Sequence, residues 1–190
     1  MPQVTSEPGD PTLEELAVSA AAGDREALER LLAEIQPRVR RICGRMLIYP
    51  EDAEEATQDA LLLVATRIGT FAGRSKFTTW LHAVASNSAR STYRSLKRRA
   101  AERSTDELPL PHEPDPRTTS VIAGSRLDLL EALDVIGVDH PELVEPLVLR
   151  DVQQLDYQEI ATVLGVPLGT VKSRIHSARH AVRPLLAVLD

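Results

Sequence analysis

Between Asp156 and Arg183 the apolar positions fall into two short helical patterns. Ile160, Ala161 and Leu164 give the first segment one apolar face, and Val171, Ile175, Ala178 and Val182 recur at i, i+4, i+7 and i+11 in the second. Both spacings follow the helical period and predict one buried stripe per segment. Asp156 with Glu159 three residues on predicts a capping box at the start of the first helix. Gly165 is its natural stop, because a left-handed cap costs a glycine nothing. Val166-Pro167 restarts the chain, and a helix from about Leu168 to Arg183 completes two helices joined by a tight turn.

The same reading carries along the rest of the chain. Thr12 and Glu15 predict a capping box for a short helix ending near Ala22, and Asp24 caps a longer one to about Ile48. Leu28, Leu31, Leu32, Ile35, Val39, Ile42 and Met46 form its apolar side, and Pro37 should kink it, since the periodicity resumes beyond. Tyr49-Pro50 opens the next helix, to about Ile68. Residues 69–76 form a Gly-flanked loop around Phe71. A helix over 77–103 follows, with Phe77, Trp80, Leu81 and Val84 as its first core face and Arg90, Arg94, Lys97 and Arg98 as a basic stripe. Four prolines, at 109, 111, 114 and 116, then erase the periodicity. Helices resume at Ser125, and Asp139 with Glu142 predicts another capping box. The expectation is an all-α protein with a lead-in over 1–11, helical domains over 12–103 and 125–190, and a Pro-rich acidic linker over 104–124.

Composition changes this picture in one respect. A net charge of −6 argues against nucleic acid on average, yet the charges are segregated. Nine Lys/Arg face one acid between Arg67 and Arg103, and four face none between Ile160 and Leu189. Glu51, Asp52, Glu54, Glu55 and Asp59 have no base among them; the excess beyond the first helical turn calls for water or a basic partner. A lone cysteine, Cys43, suits a reducing compartment. With no run of about 18 apolar residues and no basic leader, a cytoplasmic protein without membrane insertion is expected.

Projected at about 100° per residue, Lys172, Ser173, His176, Ser177 and His180 lie opposite the buried stripe of the last helix, with Arg179 and Arg183 beside them. Together with Thr170 and Arg174 they make a basic, short-side-chained face of the kind a major groove accepts. In the loop and the basic helix, Phe71, Arg74, Lys76, Arg90 and Arg94 suggest a surface for stacking on and neutralising a single strand. Trp80 leads an apolar stripe and reads as core. Merely solvated basic faces remain the alternative for both regions. His176 and His180 have the i, i+4 spacing of a helical zinc site, but Ser-Ala-Arg lies between them and no third ligand is near in sequence. His82, His112 and His140 are scattered, with no nucleophile signature and no phosphate-binding glycine loop. The expectation is no metal, no cofactor and no catalytic set.

An acidic helix, an aromatic loop with a basic helix, and a linked helix-turn-helix thus follow one another. In that order DAEEATQDALLLV, FAGRSKFTTWLHAVASN and LDYQEIATVLGVPLGTVKSRIHSAR resemble regions 2.2, 2.3–2.4 and 4.2 of an extracytoplasmic-function (ECF) sigma factor of the sigma-70 superfamily. The resemblance implies a transcription initiation factor that binds core RNA polymerase and directs it to promoters. It implies that Asp52, Glu55, Gln58 and Asp59 dock on the β′ clamp helices. Residues 69–94, with Asn87 at the family's characteristic asparagine, would hold the melted −10 strand. The linker acids Asp106, Glu107, Glu113 and Asp115 would point toward the polymerase cleft, and the last helix would read the −35 element. Contact with the β flap and control by an anti-sigma factor are further implied for many members. Ser177 stands where many members carry arginine, and Pro146 interrupts a helix often continuous in the family. The competing reading is a stand-alone helix-turn-helix regulator with an N-terminal sensor or dimerisation domain. An RNA-processing enzyme, the third class, lacks a catalytic set.

Overall fold

The computed structural model describes residues 11–103 and 121–186, and every regular element among them is helical. The linker acids Asp106, Glu107, Glu113 and Asp115 lie outside the described residues.

Helix α1 (Leu13–Ala21) begins with the expected capping box: Thr12 accepts from the Glu15 amide, and Glu15 accepts from the Thr12 amide at 2.7 Å. Helix α2 (Arg25–Gly44) is capped by Asp24 and runs through Pro37, burying Leu31, Ile35, Val39 and Ile42. It stops four residues short of Ile48. Met46 and Leu47 are buried in the turn that follows, so their apolar signal reports burial without helix.

Helix α3 (Pro50–Arg67) starts on a proline at its first turn, where the missing N–H costs nothing. Its buried face is made of Ala53, Ala56, Thr57, Ala60 and Val64, which lets α4 (Phe77–Arg103) approach closely through Ala85 and Ala89. Two hydroxyls at this contact donate to nearby backbone carbonyls. Ser88 Oγ donates to the Ala56 carbonyl at 3.1 Å, and Thr57 Oγ1 to the Ala53 carbonyl at 2.6 Å.

The start of α4 is held from a distance. Both carboxylate oxygens of Glu14, on α1, accept from the Phe77 amide at 2.8 and 2.9 Å. The carboxylate satisfies an orphan donor of the first turn and meets the positive end of the helix dipole. Glu14→Ala should cost about 1 kcal/mol of stability, the usual size of a lost cap, measured as a lower denaturant midpoint with an unchanged slope.

The C-terminal helices are α5 (Val121–Asp139), α6 (Pro141–Leu147), α7 (Tyr157–Leu164) and α8 (Leu168–Leu186), with a π-helical turn over Val148–Val152. Helix α5 begins four residues inside the expected linker. The cap expected from Asp139 does not form: Asp139 closes α5, and His140, which makes no side-chain cap bond, stands before α6. Pro146 lies within α6, and the wider turn follows directly. That turn ends at Gln154, whose φ of +64° lies in the left-handed region. The caps around α7 are as expected, with the Asp156–Glu159 box at one end and Gly165 at φ +65° at the other.

The buried residues do not divide at the linker. Leu130, Leu133, Ile136, Val144, Leu147, Ala178 and Val182 are continuous with the core of α1–α4. A smaller cluster around Leu149, Ile160, Val171 and Ile175 takes in Ala83 of α4. Beside Ala83, His82 faces buried Gln153 of the π turn's end. Burial, reinforced by the charges of Arg38 and Arg45 and opposed by Gln153 and Glu159, holds His82 below the ordinary histidine range. The native state therefore binds fewer protons here than the unfolded chain. His82's contribution to stability is present above its unfolded pKa of about 6.5 and is lost as pH falls below it. A stability–pH profile of His82→Gln should be flatter than the wild type between about pH 7 and 5.

Candidate nucleic-acid interface

Helix α8 displays the surface its periodicity predicts. Val171, Ile175, Ala178 and Val182 are buried, while Lys172, Ser173, His176, Ser177 and His180 are exposed on the other side. Thr170 and Arg174 are half-buried at its margins, and Ser173 Oγ donates back to the Thr170 carbonyl at 3.0 Å. No acid stands in the first turn. The short α7 packs against α8, and the glycine cap sets the turn between them.

Arg179 has a partner within the chain. Its Nε donates to Asp151 Oδ2 at 2.9 Å and its Nη2 to Asp151 Oδ1, so the guanidinium is held by the π turn. This fork-on-carboxylate geometry raises its already high pKa further. Arg179 therefore braces α8 against the preceding turn, and Lys172, Ser173, His176 and Ser177 are exposed beyond it.

The acidic face of α3 is partly answered from within. Glu55 accepts from Arg99 Nη2 at 3.2 Å, and Glu54 lies 3.6 Å from Arg40 Nε. Gln58 and Asp59 are exposed. Asp52 is half-buried at the end of a groove shared with Tyr49, Tyr93, Lys97 and Leu127. Burial first, then the charges of Glu55 and Glu51, raise its carboxyl pKa against the opposing Arg99.

Phe71 is also placed differently from the expectation. It is 8% exposed, with its ring 5.6 Å from Phe77 in edge-to-face contact and 5.9 Å from Trp80. Three aromatics so close together gain more from one another than from water, and they anchor the loop to α4. Phe71 cannot stack on a base in this conformation. Arg74 and Lys76, after the left-handed Gly73, are exposed in the loop.

Farther along α4, Asn87, Arg90 and Arg94 come together on one face, and the C-terminal half covers that face. Asn87 Nδ2 donates to Glu145 Oε1 at 3.0 Å, and Arg94 Nε to Asp134 Oδ1 at 2.8 Å. Arg90 reaches Asn87 Oδ1 at 3.5 Å, but its Nε is buried without a hydrogen-bond partner. Burial, and then the neighbouring Arg94, lower the Arg90 pKa. Glu145, Asp134 and Asp151 had no visible role in the sequence; their partners are 58, 40 and 28 residues away.

Among the described residues no group of three or more His, Cys, Asp or Glu is placed to hold a metal ion. Nor is any helix among them long and apolar enough to cross a membrane.

The described residues set an acidic helix, a basic helix behind an aromatic loop, and a helix with an exposed basic face after a tight turn on one all-helical fold. Comparison with known proteins places it further. Residues 31–99 match Sigma-70 region 2, and residues 141–182 match Sigma-70, region 4. The chain is 35% identical over 186 residues to the ECF RNA polymerase sigma factor SigE of Mycolicibacterium smegmatis, covering 90% of this chain and 67% of that protein. It is 31% identical over 170 residues to the RNA polymerase sigma factor CarQ of Myxococcus xanthus, covering 88% and 94%. The solved structure of CnrH in complex with the cytosolic domain of CnrY has the same fold, with a TM-score of 0.54 at 24% identity, over 93% of this chain and 99% of that one. The chain belongs to the ECF sigma factors of the sigma-70 family. Its function is promoter-specific transcription initiation, with RNA polymerase and promoter DNA as partners.

Proposed function

We propose that three surfaces divide the work of initiation. Asp52, Glu55, Gln58 and Asp59 on α3 dock on the β′ clamp helices. Arg74, Lys76, Asn87, Arg90 and Arg94 hold the melted −10 strand. Thr170, Lys172, Ser173, Arg174, His176 and Ser177 present α8 to the −35 major groove. The units that carry these surfaces span 12–103 and 125–190, joined by the linker. The protein acts by binding, and no chemical step is assigned to its residues. Cytoplasmic localisation, contact with the β flap and control by an anti-sigma partner belong to the same reading.

The observation that carries it is α8, whose apolar stripe is buried while its small polar and basic side chains are exposed. A helix so mounted can enter a groove about 12 Å wide without disturbing its own core. Two kinds of contact should separate on mutation. Lys172→Ala removes one phosphate contact, so holoenzyme binding should weaken on all promoters and the slope of log K against log salt should fall by about 0.9. His176→Ala should change the preference among −35 variants instead. Unchanged binding and preference in both, across a panel of promoters, would remove α8 from the interface.

A further inference from the structure

The π turn over Val148–Val152 carries two adjacent charged side chains, and each is tied to a different helix of the pair that follows. Arg150 Nη1 donates to the Leu155 carbonyl at 2.7 Å, and its guanidinium lies 4.6 Å from the ring centre of Tyr157, the first residue of α7. Backbone bonds close the same stretch. The Gln153 amide donates to the Val148 carbonyl and the Leu155 amide to the Leu149 carbonyl, both at 3.0 Å. The turn and the start of α7 are thus bound into one piece, and from it Asp151 holds Arg179 of α8 through two bonds. The Tyr157 hydroxyl acts on the same guanidinium, adding to the larger effect of Asp151. On α8 this arginine belongs to a row. Lys172, His176, Arg179 and Arg183 stand at i, i+4, i+7 and i+11, one residue on from the buried stripe, and all four are exposed. Asp151 pairs with the third member of that row.

We propose that Asp151 is a positioning and specificity-determining residue for promoter recognition: it withholds Arg179 from phosphate and fixes α8 on α7, so that base edges rather than charge select the −35 element. The inference rests on placing α8 in the −35 groove. A guanidinium binds phosphate through the same fork of donors that it offers a carboxylate. An unpaired Arg179 in this row would therefore add a backbone contact, which strengthens binding to every sequence alike. Orientation is the second consequence. The Gly165 cap and the turn after it fix α8 only at its start. Arg179 lies eleven residues beyond Leu168, about 16 Å along the axis, and supplies a second fixed point. Burial of the apolar stripe is non-directional, whereas a fork on a carboxylate sets both distance and angle. Ser173 and His176 discriminate among bases only when the axis is held at one angle in the groove. The pair can do this beside DNA because it is not sealed in the core, with 51% of the Arg179 and 35% of the Asp151 side-chain surface accessible.

The test follows holoenzyme binding, over a range of salt, to a promoter and to the same DNA with its −35 element scrambled. Arg179→Ala should leave the slope of log K against log salt unchanged, because the side chain it removes is on Asp151 and not on phosphate. Asp151→Ala should steepen the slope by about 0.9, the mark of one added phosphate contact. Each should lower the ratio of promoter to scrambled binding by roughly tenfold, within the range that one base contact supplies. Asp151→Ala with Arg179→Ala should return the slope to the wild-type value. A slope lowered by about 0.9 in Arg179→Ala would overturn the proposal, since Arg179 would then be a phosphate contact on DNA. A steeper slope that persists in the double variant would overturn it too, because the lost acid alone would explain the gain. So would an unchanged binding ratio in both single variants. Lys172→Ala, measured alongside, separates these failures from that of the α8 assignment. If its slope falls while the Asp151 and Arg179 variants behave as wild type, only the positioning role is lost; if all of them behave as wild type, α8 is not in the groove and the proposal falls with it. Circular dichroism checks that each variant keeps its helices. Should Asp151→Ala not fold, Asp151→Asn removes the charge and keeps the shape, and the same steepening is expected of it.

Discussion

Reversing two charges on α3, Asp52→Lys with Glu55→Lys, should abolish promoter-specific transcription. The expected loss is on the order of a hundredfold or more, since like charges facing each other across an interface cost several kcal/mol. The same protein should still fold, because both side chains lie at the surface or half-exposed and neither enters the core. One internal contact complicates the comparison: Glu55 is also bonded to Arg99. Arg99→Ala removes that pair without altering the acidic face and serves as the control. Its transcription should stay near the wild-type level. Pull-down of core polymerase by each variant locates the defect, and full retention by the double reversal would exclude α3 from the docking surface.

The second large effect is expected at strand opening. Arg90→Ala with Arg94→Ala should reduce open complexes by about 10²-fold while leaving closed complexes nearly intact. Taking bases out of the stack costs a few kcal/mol, which contacts made only after melting must offset. Promoters mismatched in advance over the −10 region have already met that cost and should restore much of the signal. Equal loss on matched and mismatched templates would count against the role. Permanganate reactivity of unpaired thymines reads strand opening directly.

How much of this was legible in the sequence depends on how far apart the interacting residues lie. The α8 stripe, the Thr12–Glu15 and Asp156–Glu159 capping boxes, the Gly165 stop and the proline start of α3 are encoded within a few residues. All of these appear where periodicity and local hydrogen bonding place them, whereas the box expected from Asp139 and Glu142 did not form. Glu14 holding the start of α4 could not be read, because its partner is 63 residues away and a surface glutamate has no distinguishing neighbours. In sequence Arg179 is one more cation beside the polar face of α8, and its partner Asp151, 28 residues away, meets it only in the fold. Phe71 shows the same limit for apolar residues. A Gly-flanked aromatic in a basic loop suggests stacking, yet Phe77 and Trp80 lie close enough to claim the ring. The acid content of α5 and α6 was visible, but its position against the basic stripe was not. That position follows from how two helical layers meet, and no local spacing records it.

The central claim is that specific DNA binding by this chain depends on core polymerase. The chain carries a net charge of −6, and its acidic face repels phosphate until something basic covers it. On the α4 face proposed for the −10 strand, Asn87 and Arg94 are bonded to Glu145 and Asp134, and the α8 face proposed for the −35 element alone offers few phosphate contacts. Free affinity should therefore stay in the non-specific range of about 10⁻⁴–10⁻⁶ M at physiological salt. With core present both DNA-binding surfaces are tethered at their spacing on the promoter, and the second contact becomes effectively intramolecular. The direct measurement is a titration of promoter and scrambled DNA with the free chain, with core polymerase, and with the two together. The account predicts tight, sequence-selective binding only for the combination. Nanomolar, selective binding by the free chain, unchanged when core is added, would contradict it.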